Sequence, residues 1–232
     1  MAKYKHIFFD LDHTLWDFNK NSSTAMEIVY DFFQFPILKG VGFLDFYVVY
    51  KKHNDAVWAD YAKGIISQDD IKLLRFQKVF THFGINDALK IAEFSKLYTE
   101  LLPQQTYLFP YCLEALQYVT NKNYTLHILS NGFENVQIQK LTNAKMIHYF
   151  KSIITSEKAG FPKPHIGIFE FALKQSGAAK KETIMIGDAL DIDIKGALDF
   201  GMDCIHVNHL NKELSPLANY TIFELKELME IL

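Results

Sequence analysis

The stretch KHIFFDLDHT, residues 5–14, is a short apolar run that ends in two carboxylates and a hydroxyl. The aromatic and β-branched residues of Lys5 to Phe9 favour a buried strand, and Asp10, Asp12 and Thr14 follow where that strand ends. In an open parallel sheet, ligands bind beyond the carboxyl ends of the strands. The stretch therefore predicts a first strand with a polar site at its end.

Short apolar runs and helical segments alternate strictly through the second half of the chain. The predicted strands are Lys5 to Phe9, Tyr124 to Leu129, Ser152 to Thr155, Thr183 to Ile186 and Cys204 to Val207. The predicted helices lie near residues 110–121, 134–144, 165–176 and 191–200. This alternation predicts an α/β fold with a Rossmann-like parallel sheet core flanked by helices.

Residues 16–107 lack this alternation and show amphipathic helical spacing, as in AMEIVYDFF and QDDIKLLRFQKVFTHF. We expect an inserted α-helical cap domain over residues 16–107, and a catalytic core made of residues 1–15 and 108–232. Because the insert leaves the core after the first strand and returns before the next core helix, it is expected to act as a hinged lid.

The composition of the 232 residues is that of an ordinary globular protein, with 49% hydrophobic and 22% charged residues. A net charge of -3 gives no reason to expect a nucleic acid polymer or an acidic membrane as partner. Asp10 and Asp12 interrupt the first apolar run, so we expect no secretory or membrane segment and a cytoplasmic location. Cys112 and Cys204 are too far apart to suggest a disulfide framework or a zinc site.

Further polar clusters follow the other predicted strands. Ser130-Asn131-Gly132 follows the second strand, Lys163-Pro164 lies in the loop after the third, and Asp188 to Asp193 follow the fourth. A phosphate would be bound well by the Ser130 hydroxyl and the backbone N–H groups of the helix start that follows it. Chain order therefore places a hydroxyl, a cation and carboxylates at one edge of the sheet.

Each cluster also has a simpler interpretation, because Asp often caps helices, Asn-Gly forms tight turns and loop lysines are usually solvated. Charge favours a functional site. Asp10, Asp12 and Asp188 together carry more negative charge than one lysine can balance. A divalent cation with oxygen ligands is needed, and Mg²⁺ is the expected ion.

Taken in order, DxDxT after a strand, LSNG, KP and GDxxxxDI resemble the four motifs of the haloacid dehalogenase phosphatases, over nearly the whole chain. The resemblance implies a magnesium-dependent phosphomonoester hydrolase with an aspartyl-phosphate intermediate. Asp10 would be the nucleophile and Asp12 the general acid and base. Lys163, which directly precedes a proline, matches the family lysine better than Lys158 does.

The resemblance also implies which residues bind the phosphate and the metal. The phosphate ligands would be Thr14, Ser130, Asn131 and Lys163. The metal ligands would be the Asp10 carboxylate, the Asp12 backbone carbonyl, Asp188, and Asp193 either directly, through water or as an outer partner.

Within the insert, DHTLWDFN, NDAVWADYAKG and LLRFQ look like the small nucleotidases that act on pyrimidine nucleoside monophosphates. The expected partner is thus a small phosphate ester, specifically a nucleotide. Trp16 and Trp58 are candidates for stacking on a base, and Arg75 for binding a polar group of the substrate. Core packing of the aromatic rings and an interhelical salt bridge of Arg75 are the alternatives.

Other functions share parts of this pattern. A haloacid dehalogenase proper needs neither magnesium nor a second acid, so Asp12 and Asp188 argue against it. A phosphosugar phosphatase or a phosphoglucomutase-type phosphotransferase retains all four motifs and stays open. A signalling or binding module phosphorylated on Asp10 would not need an insert of about ninety residues. The sequence leaves the oligomeric state open.

Overall fold

The computed structural model describes residues 3–35, 40–210 and 217–232. The chain forms two compact units, one made of Met1–Phe18 and Thr106–Leu232 and the other of Asn19–Gln105. Among the described residues, no helix combines the length and the apolar character needed to cross a membrane.

The second unit is helical. Its helices are α1 (Phe18–Phe32), α2 (Phe43–Ala62), α3 (Gln68–His82) and α4 (Ala88–Leu101). The first residue of α1, Phe18, is counted with the first unit. Ser67 and Asp70 form a capping box at the start of α3, and Asp87 caps α4 by accepting from Lys90 N. The interior is an aromatic cluster of fully buried rings, Phe35, Phe46, Phe76, Phe80 and Phe94.

The first unit is built on a six-stranded sheet with the strand order β3-β2-β1-β4-β5-β6, in which all neighbouring strands are parallel. The strands are β1 (His6–Phe9), β2 (Thr125–Ser130), β3 (Phe150–Thr155), β4 (Thr183–Gly187), β5 (Asp203–Val207) and β6 (Tyr220–Ile222). This arrangement confirms the α/β fold predicted from the sequence. The short edge strand β6 was not predicted, because three residues are too few to show a pattern.

The helices of the first unit follow the strands. They are α5 (Cys112–Asn121), α6 (Glu134–Asn143), α7 (Ser156–Ala159), α8 (Ile166–Ser176), α9 (Lys195–Phe200) and α10 (Leu228–Ile231). Phe8 of the central strand packs in a buried cluster with Leu129 of β2, Met185 of β4 and Phe169 of α8. Burial of β1 between neighbours on both sides holds the strand end, and Asp10 with it, in a fixed place.

The helix predicted near 191–200 is shorter than expected. A π-helical turn over Leu190–Ile194 comes first, and regular helix starts only at Lys195. The N–H groups of Asp193 and Ile194 both donate to the carbonyl of Ala189, at 2.8 and 3.2 Å. This wider turn directs the Asp193 side chain back toward β4, and π-turns of this kind are frequent at functional sites.

Candidate functional site

The polar residues that follow β1, β2 and β4 lie at one edge of the sheet, because these three strands are parallel neighbours. Asp10 follows β1, Ser130 ends β2, and Asp188 follows β4. Carboxylate oxygens of Asp10, Asp188 and Asp193 all lie within 4.8 Å of one another. The structure therefore brings these three sequence-predicted residues into one acidic cluster.

Lys163 is the cation of this cluster and is almost completely buried. Its Nζ donates to Asp10 Oδ1 at 2.6 Å and to the carbonyl of Leu129 at 2.6 Å, and it pairs with Asp193 Oδ1 at 2.7 Å. Burial lowers the pKa of Lys163, but Asp10 and Asp193 raise it more, so the pKa lies above its ordinary value. The ammonium thus holds Asp10 by a hydrogen bond and Asp193 by charge.

Lys158, the competing lysine, lies elsewhere. It is substantially exposed and forms an ion pair with Glu134 at 2.9 Å. The geometry thus supports Lys163 as the lysine of the site.

Asn131 holds the loop that carries Lys163. Its amide Nδ2 donates to the backbone carbonyl of Lys163 at 3.0 Å, and its Oδ1 accepts from the backbone N–H of Lys163 at 2.7 Å. These bonds fix the start of the lysine side chain. A contact between Asn131 and phosphate remains a prediction.

The acidic cluster has the chemistry of a site for a hard divalent cation. Burial raises the pKa of Asp10 to about 7, with a further contribution from Asp193, although Lys163 opposes the rise. Burial, followed by repulsion from Asp193 and Asp10, raises the pKa of Asp188 well above its ordinary value. Among the described residues Lys163 alone forms an ion pair with these carboxylates, so the ionised cluster keeps an excess of negative charge. Three oxygen donors with this excess fit Mg²⁺.

Two contacts hold the acidic residues that follow β4. Thr14, fully buried, donates from Oγ1 to Asp188 Oδ1 at 3.3 Å. Asp193 Oδ2 accepts from the backbone N–H of Ala189 at 3.1 Å. A Cβ on Gly187 would lie 2.4 Å from Asp193 Oδ2, so this turn requires glycine. The Thr14 hydroxyl is therefore engaged with a candidate metal ligand, and its contact with phosphate stays a prediction.

Ser130 is placed to donate a hydrogen bond. Its Oγ accepts from the N–H of Gly132 at 3.0 Å and from Gln137 Nε2 at 2.6 Å. Because both contacts use lone pairs of the oxygen, the hydroxyl hydrogen is left for another acceptor. A phosphate oxygen is an acceptor of the right kind.

Two residues of α6 that sequence reasoning missed contact Asp12. Lys140 Nζ donates to Asp12 Oδ1 at 2.7 Å, and Gln137 Nε2 donates to Asp12 Oδ2 at 2.9 Å. Both side chains are buried although they are polar. Polar residues three positions apart in FENVQIQKL, directly after the Ser130 cluster, were the available signal.

The three candidates for substrate contacts lie in different surroundings. Trp16 belongs to the first unit and is fully buried, with its ring centre 4.3 Å from Lys140 Nζ. Trp58 is half-buried on α2. Arg75 is buried and donates to Asn54 Oδ1 at 3.2 Å, with its guanidinium over the Tyr98 ring. Trp58 and Arg75 belong to the second unit, and contacts of Trp16, Trp58 and Arg75 with a substrate remain predictions.

A cavity of about 490 Å³ within the first unit reaches the cluster. Asp188 forms part of its wall, together with His13 after β1 and His206 of β5. The candidate metal ligand Asp188 is therefore accessible from this cavity.

Comparisons with known proteins agree with this geometry. Residues 7–207 match the family model for haloacid dehalogenase-like hydrolases. Relatives include pyrimidine 5'-nucleotidase PynA of Streptococcus pneumoniae, 30% identical over 99% of this chain and 95% of its own length. Glyceraldehyde 3-phosphate phosphatase of Methanocaldococcus jannaschii is 28% identical over 98% of this chain and 96% of its own length. The structure of the HAD-hydrolase YfnB of Bacillus subtilis, bound to magnesium, has a TM-score of 0.90, 25% identity and 99% coverage of both chains.

Proposed function

This chain belongs to the haloacid dehalogenase-like hydrolases, and from that premise we propose that it is a magnesium-dependent pyrimidine 5'-nucleotidase that acts through an aspartyl-phosphate. The observation that carries the proposal is the environment of Asp10. Its carboxylate is buried, is held by Lys163 at 2.6 Å, and lies within 4.8 Å of the carboxylates of Asp188 and Asp193. Asp12, two residues later, supplies a second carboxyl group.

The reaction proceeds in two halves. In the first, an Asp10 oxygen attacks phosphorus, the bond from phosphorus to the ester oxygen breaks, and that oxygen takes a proton from Asp12. In the second, water attacks the phosphorus of the aspartyl-phosphate and gives a proton to Asp12, and the bond from phosphorus to the Asp10 oxygen breaks. Asp12 therefore donates one proton and regains one, which restores the enzyme.

The other residues hold these groups in place. Lys163 fixes the Asp10 carboxylate, and the Ser130 hydroxyl donates to a phosphate oxygen. Mg²⁺, when bound, neutralises the charge of the nucleophile and phosphate. Asp10, Asp188 and Asp193 would hold it with their carboxylates, and Asp12 with its backbone carbonyl.

The proposed substrate is inferred from the relatives of this chain. PynA, a pyrimidine 5'-nucleotidase, is related over nearly its whole length, which supports a nucleotide as substrate. The similarity to a glyceraldehyde 3-phosphate phosphatase supports a second candidate, a phosphosugar phosphatase. Substrate-binding roles of Trp58 and Arg75, the lid role of the insert, and the cytoplasmic location stay predictions.

The test is phosphate release from purified protein with Mg²⁺ or with a chelator. The panel contains uridine and cytidine 5'-monophosphate, adenosine 5'-monophosphate as the purine comparison, glyceraldehyde 3-phosphate and glucose 1-phosphate. Asp10→Asn removes the nucleophile and should lower kcat on the order of a thousand-fold or more. Asp191→Asn is the matched control, because Asp191 is exposed and lies outside the acidic cluster.

Each result selects one activity. Magnesium-dependent release, highest for pyrimidine nucleotides and lost only in Asp10→Asn, supports the proposal. Highest release from glyceraldehyde 3-phosphate replaces the nucleotidase with a phosphosugar phosphatase. Conversion of glucose 1-phosphate to its 6-phosphate isomer without phosphate release indicates a phosphotransferase. A protein that becomes phosphorylated on Asp10 but does not turn over is a signalling module.

A further inference from the structure

Helix α6 presents two buried polar side chains, Gln137 and Lys140, that lie one turn apart. Lys140 Nζ donates to one carboxylate oxygen of Asp12 at 2.7 Å, and Gln137 Nε2 donates to the other at 2.9 Å. A single helix thus contacts both oxygens of Asp12. Because the two bonds reach different oxygens, they determine the rotation of the carboxylate as well as its position.

Lys140 is buried, so its contact with Asp12 is not a chance contact of a solvated side chain. Its side chain is 3% exposed, whereas a lysine on a helix normally extends its ammonium into water. Here the ammonium pairs with Asp12 and lies 4.3 Å from the centre of the Trp16 ring and 5.6 Å from that of Phe18. These rings stabilise the cation where it can reach Asp12.

Gln137 connects Asp12 with the candidate phosphate ligand. The other hydrogen of its amide nitrogen bonds Ser130 Oγ at 2.6 Å. The opposite amide orientation would direct an oxygen at the Asp12 carboxylate, so the donor orientation is the favourable one. A Cβ on Gly132 would lie 2.5 Å from Gln137 Nε2, so the glycine of this loop leaves the space that the glutamine occupies.

We propose that Lys140 and Gln137 are positioning residues that hold Asp12 for proton transfer. This inference rests on the proposed function, because it assigns the two residues a part in the same two-step reaction. Asp12 must reach the ester oxygen in the first half and the attacking water in the second. A carboxylate held at both oxygens occupies one place in both halves, whereas a free one rotates among several.

The two halves of the reaction can be tested separately with substrates whose leaving groups differ in basicity. The p-nitrophenolate ion leaves without being protonated, so formation of the aspartyl-phosphate from p-nitrophenyl phosphate does not need Asp12 as an acid. Hydrolysis of the aspartyl-phosphate still needs Asp12 to accept a proton from water. A variant with a misplaced Asp12 should therefore accumulate phosphoenzyme with this substrate.

The experiment compares Lys140→Met, Asp12→Asn and the double variant with wild type. It measures kcat and KM for uridine 5'-monophosphate, and the fraction of acid-quenched protein carrying phosphate, by mass spectrometry, for p-nitrophenyl phosphate. We expect Lys140→Met to lower kcat about 10- to 100-fold, the usual effect of losing a group that orients a functional residue. KM should stay within about threefold, because substrate binding is not what the lysine supports. Lys158→Met is the control, since Lys158 forms an exposed ion pair.

The double variant distinguishes positioning from a general structural role. If Lys140 acts through Asp12, its replacement causes no further loss in the Asp12→Asn background, and phosphoenzyme accumulates in Lys140→Met. An equal fold-loss in both backgrounds, without accumulation, would overturn the proposal. So would a Lys140→Met variant with wild-type kcat.

A failure of Lys140→Met to fold would be revealed by a thermal melt without a cooperative transition. In that case Gln137→Leu is the variant that tests the inference. It keeps the size of the side chain and removes only the amide, and it should also accumulate phosphoenzyme. If both Lys140→Met and Gln137→Leu lack phosphoenzyme, positioning of Asp12 is excluded. Failure of the proposed function is seen separately, because wild type itself would then release no phosphate from uridine 5'-monophosphate.

Discussion

Asp188 is the residue at which binding of Mg²⁺ to the acidic cluster can be tested. It lies with Asp10 and Asp193 in the acidic cluster, and burial and the charges of those two residues raise its pKa. A bound divalent cation would replace this repulsion with attraction. We therefore expect Mg²⁺ to raise the midpoint of thermal unfolding, by an amount equivalent to about 2.7 kcal/mol at a hundred times its Kd. Asp188→Asn should lose most of this shift, as measured by circular dichroism with Mg²⁺ and with chelator.

Asp191→Asn serves as the control for this measurement. Asp191 lies in the same turn but is exposed and does not belong to the cluster. The shift should be kept in this variant. An equal shift in Asp188→Asn and wild type would show that Mg²⁺ does not bind at the cluster.

At the same scale, the sequence predicted which residues lie together better than what each one contacts. Asp10, Ser130 and Asp188 could be placed at one edge because they end parallel strands. The contact of Asn131 with the Lys163 backbone could not be predicted, because it depends on the path of the loop. Lys140 was missed because a lysine in a helix is normally solvated.

Strand β2 carries a buried histidine that links stability to pH. His127 is fully buried, with Nδ1 at 2.7 Å from Ser152 Oγ and Nε2 at 3.1 Å from His6 Nδ1. Burial, followed by the charges of His6 and Lys151, lowers the pKa of His127 to about 4. In the unfolded chain the pKa is about 6.5, so the unfolded state takes up the proton first as the pH falls. The stability that the neutral His127 ring contributes is therefore fully present above about pH 6.5, and it is lost as the pH falls toward 4.

We expect His127 to remove up to about 2 kcal/mol from the free energy of unfolding between pH 7 and pH 5. His127→Gln removes the titrating ring and should show a smaller loss over this range. His148→Gln, at an exposed position, should behave as wild type. The measurement is urea unfolding at both pH values, and equal losses in wild type and His127→Gln would contradict the prediction.

At the level of elements, the longer strands and helices were predicted with nearly correct limits, and the irregular turn after β4 was not. The apolar runs of β1, β2, β4 and β5 are short, so their limits lie within a residue or so of the predictions. The π-helical turn at Leu190–Ile194 could not be predicted, because it goes together with a contact of the Asp193 side chain with the Ala189 N–H that no sequence pattern shows. The orientation of α6 was also beyond the sequence pattern, since packing decides which face is buried.

At the scale of the whole molecule, each unit has an interior of its own. In the first unit Phe8, Leu129 and Phe169 belong to a buried cluster around the sheet. In the second, Phe35 and Phe94 belong to a cluster of buried aromatic rings. An inserted helical domain over residues 16–107 was the expectation from helical spacing. The helical unit of the structure spans Asn19–Gln105, and aromatic rings fill its interior.

Phe94→Ala should separate the unfolding of the two units. Phe94 is fully buried, with ring centres of Phe80 and Phe76 at 5.1 and 5.2 Å, and loss of such a ring costs about 3–5 kcal/mol. Because the acidic cluster belongs to the first unit, we expect calorimetry to show an early transition that Mg²⁺ does not shift and a later one that it does. Leu89→Ala, on the same helix but 79% exposed, should leave the thermogram unchanged. A single transition in Phe94→Ala, lowered as a whole and still raised by Mg²⁺, would show instead that the two units unfold as one cooperative structure.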